Sequence, residues 1–276
     1  MRISIAGIGA SAGGLEAFKL LLAHLPAKTG LAFVFVQHLD PTHESSLTQI
    51  LDGVSAVPVR QAADGMEIEA DHLYVIPPDA ALEVANQRLI VTPRAPTHAG
   101  LHMPIDRFLR SLAQECGSRS IGVILSGTGT DGTAGFEAVK AAGGVTFAQD
   151  PATAKFDSMP RAAIGGGCVD FVLPPEAIAE ELTTLARHPY IADDEAAKWG
   201  PAEDQKDRFD PILSLMTDAT GVDFALYRET TIQRRILRRR RDREFLRSPV
   251  ALASCFSPSL GCSTALVSAC DLNVNT

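Results

Sequence analysis

Runs of apolar residues alternate with amphipathic runs along the first two thirds of the chain. Five apolar runs are nearly continuous in aliphatic residues, which is typical of strands buried on both faces. They span residues 3–8, 31–36, 121–125, 145–148 and 169–173. Segments with apolar residues at helical spacing separate them, at 15–25, 45–51, 105–116, 135–142 and 175–186. This order predicts an α/β fold with a doubly wound, mostly parallel sheet covered by helices on both faces.

Residues 72–91 interrupt this alternation. Three short apolar stretches lie there, at 72–76, 82–84 and 89–91, and the turn residues Pro77-Pro78-Asp79 and Asn86-Gln87 separate them. Short strands joined by such turns predict an antiparallel hairpin unit. We therefore expect an added hairpin, with all three stretches in it, attached to the parallel sheet.

The apolar pattern fades near residue 187, and this defines the expected domains. Residues 1–187 form the α/β domain, and the acid-rich stretch 188–207 reads as a solvated linker. Residues 208–247 predict a short all-α segment that includes an arginine-rich helix at 230–243. Residues 248–276 have no clear period, and we predict a tail without structure.

Charge and composition exclude several classes of function. The formal net charge is −8, and nine arginines against three acids give residues 228–247 a local +6, so the remainder carries −14. An acidic main body argues against a nucleic-acid partner. No apolar run of about 18 residues predicts a membrane span, and no signal peptide is recognisable at the N-terminus. The five cysteines form no Cys-x-x-Cys pair, which favours a cytoplasmic protein without a metal or other cofactor.

A glycine-rich loop joins the first strand to the first helix, with the sequence Gly7-Ile8-Gly9-Ala10-Ser11-Ala12-Gly13-Gly14. Such a loop is either a phosphate cradle or the mount of a nucleophile. A dinucleotide site needs an acid at the end of the second strand, but Gln37-His38 stands there. No Gly-Lys-Ser/Thr follows, so a P-loop is excluded. The loop therefore favours Ser11 as a nucleophile on a sharp turn, with free amides at the helix start for an oxyanion.

Two further polar residues follow parallel strands. His38 ends the second strand, and Asp131 lies in a glycine-flanked loop after the 121–125 strand. Catalytic groups in open parallel sheets collect at the carboxyl edge, so Ser11, His38 and Asp131 can converge there. Each also has a plain structural interpretation. His38 could be a surface residue or a cap, and Asp131 could cap the helix that follows it.

Five ordered segments resemble the catalytic domain of chemotaxis receptor methylesterases (CheB). They are residues 8–14, 36–38, 72–78, 125–132 and 149–161. The resemblance implies hydrolysis of γ-glutamyl methyl esters on methyl-accepting chemotaxis receptors, with release of methanol, and often deamidation of receptor glutamines. By position it implies that Ser11 is the nucleophile, His38 the general base and Asp131 the orienting acid. The amides of Ala12 and Thr128 become candidates for the oxyanion hole.

Other features refine the resemblance. Met159 and Arg161 are candidates for the border of the substrate channel. Thr128 stands where many stand-alone members have methionine, and 220–236 is similar to the N-terminal helical domain of the partner methyltransferase (CheR). The sequence thus resembles the branch fused to a methyltransferase. Because this second resemblance stops near Arg241, we expect a truncated methyltransferase part.

No receiver domain precedes the catalytic strand, so the resemblance implies no phosphorylation control in cis. Separate receiver or methyltransferase proteins are then expected partners, besides the receptors. Three alternatives remain open at this stage. They are a glutamine amidohydrolase in which deamidation dominates, a nucleotide-binding module, and a non-catalytic adaptor that binds receptors through the arginine-rich helix.

Overall fold

The computed structural model of the chain describes residues 3–38, 47–94 and 102–186. The expected linker at 188–207, the all-α segment at 208–247 and the tail at 248–276 lie outside the described residues.

The described residues form nine strands and six α-helices in one α/β domain. The strands are β1 Ser4–Ala10, β2 Leu31–Gln37, β3 Val59–Gln61, β4 Leu73–Val75, β5 Ala80–Ala85, β6 Arg88–Pro93, β7 Ser120–Ile124, β8 Val145–Gln149 and β9 Phe171–Leu173. The helices are α1 Gly14–Ala23, α2 Leu47–Asp52, α3 Pro104–Cys116, α4 Thr133–Ala141, α5 Ser158–Gly165 and α6 Pro175–Ala186. None of these helices is long and apolar enough to cross a lipid bilayer.

Seven strands form one parallel sheet in the order β3-β4-β2-β1-β7-β8-β9. The predicted doubly wound, mostly parallel sheet is confirmed. The chain starts in the middle of the sheet, builds outward through β2, and later returns to the other side of β1 with β7. Strand order therefore reverses at β1, and the crevice above the carboxyl ends of β2, β1 and β7 is where such folds bind ligands.

The strand predicted at residues 72–76 is present, but its assignment to the antiparallel hairpin is wrong. This stretch contains β4, which pairs in parallel with β2 and with β3, a strand that the sequence pattern did not reveal. Only β5 and β6 form the antiparallel hairpin, as a sheet of their own. Their turn, Asn86-Gln87, has φ of 52° and 58°, as a type I′ turn requires. A buried strand of three residues is too short to show a period, and its partners are far away in sequence.

Alternate residues of the strands supply two cores, one on each face of the sheet. In β2, Phe33 and Phe35 point to one face, which α1, α2 and α6 cover, and Phe18 of α1 stacks on Phe35 with ring centroids 4.1 Å apart. Val34 and Val36 point to the other face, which α3, α4 and α5 cover. Burial on both faces explains why the strands read as continuous apolar runs.

Two glycines of β1 let α3 lie unusually close to the sheet. A Cβ on Gly9 would stand 2.4 Å from Cγ2 of Ile105, and one on Gly7 would stand 2.7 Å from Cε1 of Phe108. Such distances are far below van der Waals contact. The glycines therefore fix where the N-terminus of α3 lies, beside the carboxyl ends of β1 and β7.

Candidate active site

Ser11 sits on a tight turn between β1 and α1. Its amide donates to the carbonyl of Ser126 over 3.1 Å, and its own carbonyl accepts from the amide of Gly14 over 2.9 Å. Gly13 has φ of +70°, a left-handed conformation that glycine adopts without strain. A Cβ on Gly14 would stand 2.4 Å from the Cβ of Ala10. The small residues of the motif are thus needed for the turn that holds Ser11.

His38 lies between Ser11 and Asp131, at the end of β2. Its Nδ1 is 3.2 Å from Oγ of Ser11, and its Nε2 is 2.8 Å from Oδ2 of Asp131. The carboxylate can only accept, so in the neutral ring the proton belongs on Nε2 and the lone pair of Nδ1 faces the serine. The side chain of His38 is 31% exposed, whereas that of Asp131 is 2% exposed. The three residues predicted from their strand ends lie together as one hydrogen-bonded line.

Asp131 is held by the first turn of α3. Its Oδ2 also accepts the amide of Ile105 over 3.0 Å, and its Oδ1 accepts the amide of Asp106 over 2.9 Å. The positive end of the helix dipole and these two donors stabilise the buried carboxylate. The sequence also permits an interpretation of Asp131 as a cap of the following helix. This interpretation is wrong, because Gly132 occupies the N-cap position of α4. Asp131 caps α3 instead.

The two candidate oxyanion amides lie on loops that meet at the serine. Ala12 follows Ser11 directly, and Thr128 follows Gly127, where a Cβ would stand 2.9 Å from the Cβ of Ser11. Among the residues that the structure describes, neither the Ala12 amide nor the Thr128 amide donates a hydrogen bond. Within this part of the chain, both amides are therefore unbonded backbone donors on the two loops that meet at Ser11.

The comparison with known families agrees with this geometry. The family model for CheB methylesterase matches residues 6–182, which include the whole hydrogen-bonded line. The chain belongs to the CheB methylesterase family. The resemblance found in the sequence is confirmed, while fusion to a CheR-type methyltransferase stays a prediction.

Several CheB relatives are similar over the same region. A protein-glutamate methylesterase/protein-glutamine glutaminase of Burkholderia pseudomallei (strain 1710b) is 36% identical over 183 residues, 66% of this chain and 54% of the relative. A protein of the same description from Pyrococcus horikoshii is 36% identical over 182 residues, 65% of this chain and 49% of the relative. The chain thus spans about half the length of these curated relatives.

A solved structure gives the same answer for the fold. The crystal structure of the Thermotoga maritima CheB methylesterase catalytic domain matches with a TM-score of 0.62 and 32% identity. The match covers 67% of this chain and 100% of that one. The mostly parallel sheet is therefore the fold of a CheB catalytic domain.

Ser126 supports the serine turn of this CheB domain, a role that the sequence did not indicate. Its Oγ donates to the carbonyl of Ala12 over 3.0 Å and accepts the amide of Phe156 over 3.0 Å. Its amide donates over 2.8 Å to Oε1 of Gln149, which is 1% exposed. The sequence did offer one signal. Ser126 and Gln149 are polar residues at the ends of runs that predict buried strands, and polar groups in such places need hydrogen-bond partners.

The two candidates for the substrate channel lie in different environments. Met159 is fully buried, and a Cβ on Gly127 would stand 2.7 Å from its sulfur, so Met159 lies behind the loop that faces Ser11. Its side chain offers no exposed surface to line a channel. Arg161 has a side chain that is 65% exposed and pairs with Asp157 over 2.6 Å.

A shallow, open pocket lies beside His38. Gln37, Asp79, Arg94 and His102 are among its lining residues. Burial lowers the pKa of His102 below its ordinary value, and the positive charges of Arg94 and of a protonated His38 lower it further. Oε1 of Gln37 is buried and has no hydrogen-bond partner within the described part of the chain. The pocket thus offers polar groups next to the proposed base.

No group of three or more His, Cys, Asp or Glu side chains within residues 3–38, 47–94 and 102–186 is arranged to hold a metal ion.

Proposed function

We propose that this domain is a serine hydrolase that removes methyl esters from glutamate residues of methyl-accepting chemotaxis receptors and releases methanol. One observation carries the proposal: Ser11, His38 and Asp131 form a line with contacts of 3.2 Å and 2.8 Å at the carboxyl edge of the sheet. The relatives described as protein-glutamate methylesterases support the substrate class.

The first half of the reaction forms an acyl-enzyme. Ser11 Oγ attacks the ester carbonyl carbon while its proton moves to Nδ1 of His38, and the charge of the imidazolium faces Asp131. The carbonyl oxygen becomes an oxyanion, and the amides of Ala12 and Thr128 are the donors proposed to stabilise it. When the tetrahedral intermediate collapses, the bond to the methoxy group breaks and the Nδ1 proton goes to the leaving methanol.

The second half releases the glutamate. A water molecule gives a proton to Nδ1 of His38 and adds to the acyl carbon, and the same two amides stabilise the second oxyanion. The bond to Ser11 Oγ then breaks, and the proton returns from the imidazolium to the serine. The products are a free Ser11 hydroxyl and a glutamate side chain on the receptor.

The position of the serine fits this chemistry. Its residue is 9% exposed, so the hydroxyl is largely shielded from solvent although it lies at the open edge of the sheet. Low local dielectric strengthens the interaction of an oxyanion with fixed amides. Arg161 stays a candidate for the channel border, because its exposed side chain lies on α5, the helix whose Met159 packs against the loop facing Ser11.

Deamidation of receptor glutamines is the second candidate activity, and the printed description of the relatives as glutaminases favours it. The acyl-enzyme would be the same, with ammonia in place of methanol as the leaving group. Nucleotide binding has less support. Side chains of α3 pack against Gly7 and Gly9. These two glycines therefore make room for the helix, and no space is left there for a phosphate. A receptor-binding adaptor would depend on the arginine-rich helix at 230–243, which lies outside the described residues.

We infer further that the protein acts in the cytoplasm, in bacterial chemotaxis or a related signalling pathway. Support comes from the α/β domain, whose described helices include none that could span a membrane, and from the family. Besides the receptors, separate receiver or methyltransferase proteins are the proposed partners.

The test measures volatile methanol from a receptor carrying radiolabelled methyl groups. Wild type should release label, and Ser11→Ala should release none while keeping the melting temperature of the wild type, because a hydroxyl on a turn contributes little packing. Ser55→Ala is the matched control, since the Ser55 hydroxyl bonds the carbonyl of Val57 over 2.8 Å within its own loop. Full activity of Ser11→Ala would refute the proposal, and release of ammonia without methanol would favour the deamidase.

A further inference from the structure

The helices α3 and α4 exchange capping carboxylates. Asp131, just before α4, accepts the amides of Ile105 and Asp106 at the start of α3. Asp106, in the first turn of α3, accepts over 2.7 Å the amide of Gly135 in the first turn of α4. Each helix start is therefore satisfied by an acid of the other helix or of the loop before it.

The contact with Gly135 bears on the geometry of Asp131. Gly135 lies four residues after Asp131, so a carboxylate bound to its amide fixes the start of α4 directly behind the loop that carries Asp131. The loop needs such a restraint. Gly129 and Gly132 flank Asp131 with φ of +88° and +95°, and nothing lies within 4 Å of a Cβ built on Gly129. Glycines at these positions give the free chain many accessible conformations.

Asp106 is buried, and burying a carboxylate is energetically unfavourable for a group that only caps a helix. Its residue is 8% exposed. Burial raises the pKa of Asp106 above its ordinary value, the amides of Gly135 and Gly132 oppose that rise, and the charge of Asp131 adds to it. An unpaired polar residue at such a place would be destabilising, so the amide contacts are what hold it there.

We propose that Asp106 is a positioning residue that holds Asp131 Oδ2 at hydrogen-bond distance from Nε2 of His38, through its carboxylate on the amide of Gly135 and its own amide on Asp131. This inference rests on the proposed function of the Ser11–His38–Asp131 line. Asp106 acts through Asp131, which selects the ring tautomer of His38 and so leaves the lone pair of Nδ1 facing Ser11. Its loss would let the carboxylate shift, and a misplacement of about 1 Å costs up to about 10²-fold in rate.

Two substitutions separate the positioning role from a structural one. Asp106→Ala removes the acceptor, whereas Asp106→Asn keeps an oxygen that can accept the amide of Gly135. Glu115→Ala is the matched control on the same helix. The Glu115 carboxylate accepts the amides of Asn86 and Gln87 of the hairpin over 3.0 Å and 3.1 Å. It therefore makes the same kind of contact at the other end of α3.

The first readout is the ring nitrogen chemical shifts of His38 by NMR, which report the tautomer without any substrate. Other titratable groups near the ring are Asp79, Arg94 and His102 in the pocket, and Arg110 acts on Asp106; none of these is changed. Wild type, Asp106→Asn and Glu115→Ala should show the proton on Nε2. Asp106→Ala should show a mixture of the two tautomers.

The second readout is kcat and KM for methanol release. Asp106→Ala should lower kcat about 10- to 100-fold with little change in KM, and Asp106→Asn should restore most of the rate. If Asp106→Ala only lowers the melting temperature, as Glu115→Ala does, and keeps kcat and the tautomer, then Asp106 is a structural cap. Should Asp106→Ala fail to fold, Asp106→Ser replaces it, because its shorter side chain cannot hold the amide of Gly135 as the carboxylate does. If wild type releases no methanol, the proposed function fails. The tautomer measurement still decides whether Asp106 positions Asp131 against His38.

Discussion

Replacing Asp131 by asparagine tests the hydrogen-bonded line at its buried end. The two carboxylate oxygens accept three hydrogen bonds, from Nε2 of His38 and from the amides of Ile105 and Asp106. Asparagine has only one accepting oxygen. If that oxygen replaces Oδ1, the amide group donates to Nε2 of His38 and drives the ring proton to Nδ1, where it blocks deprotonation of Ser11. If it replaces Oδ2, the amide group faces the N–H of Asp106.

The size of the effect differs between activity and stability. In other serine enzymes the wrong tautomer lowers kcat about 10⁴-fold, which corresponds to about 5.4 kcal/mol of transition-state stabilisation. One backbone donor of α3 also loses its acceptor, which costs about 1–3 kcal/mol of folding free energy. For a domain of this size the melting temperature then falls by about 2–4 °C per kcal/mol. Activity should therefore fall far more than stability.

The assay is methanol release from methylated receptor, with melting temperatures measured in parallel. Asp71→Ala is the control, because Oδ1 of Asp71 also accepts two backbone amides, those of Thr29 and Gly30, each over 2.7 Å, and alanine removes that acceptor. This control should lose stability and keep kcat. A loss of less than tenfold in kcat for Asp131→Asn would refute the reasoning and leave Asp131 as the cap of α3 alone.

Three further changes test the supports of the site. Gly9→Ala places a Cβ 2.4 Å from Cγ2 of Ile105, so we expect a loss of about 1–3 kcal/mol in the free energy of unfolding by urea; unchanged stability would mean that α3 is free to move away. Ser126→Ala removes the hydroxyl that bonds both loops at the serine turn, and kcat should fall together with the melting temperature, whereas a fall in temperature alone would limit Ser126 to folding. Burial raises the pKa of Tyr74 above its ordinary value, so above about pH 10 the unfolded chain binds fewer protons and stability should fall as pH rises. Tyr74→Phe should lack this alkaline loss, and an equal slope in both proteins would contradict it.

The sequence predicted the elements that belong to the alternating pattern of strands and helices. Continuous aliphatic runs exist because both faces of the sheet are covered, and this made β1, β2, β7 and β8 recognisable. The three site residues followed from them, since the carboxyl ends of neighbouring parallel strands share one edge. β3 has three residues and none of them is buried, so the apolar pattern did not show it. β4 was predicted as a short strand but placed in the hairpin, because the sequence does not show which strand it pairs with. The sequence also showed no helical pattern for α5, because only three of its eight residues are buried.

The supports of the site were harder to predict, because they depend on contacts between distant parts of the chain. Asp131 precedes α4, so a local interpretation made it the cap of that helix, yet it caps α3, whose amides lie 25 and 26 residues away in sequence. Gln149 bonds the amide of Ser126 across 23 residues. Sequence spacing describes neighbours within one element, whereas these bonds depend on which distant elements the fold brings together.

Covalent labelling tests the central claim, that Ser11 is a nucleophile activated by His38, most directly. Wild type, Ser11→Ala and His38→Ala are incubated with a serine-reactive fluorophosphonate, and the modified peptide is identified by tandem mass spectrometry. The account predicts a single adduct on Ser11 in the wild type, none in Ser11→Ala and a much slower reaction in His38→Ala. Labelling of Ser11 at an equal rate without His38, or no labelling of Ser11 in the active protein, would contradict it.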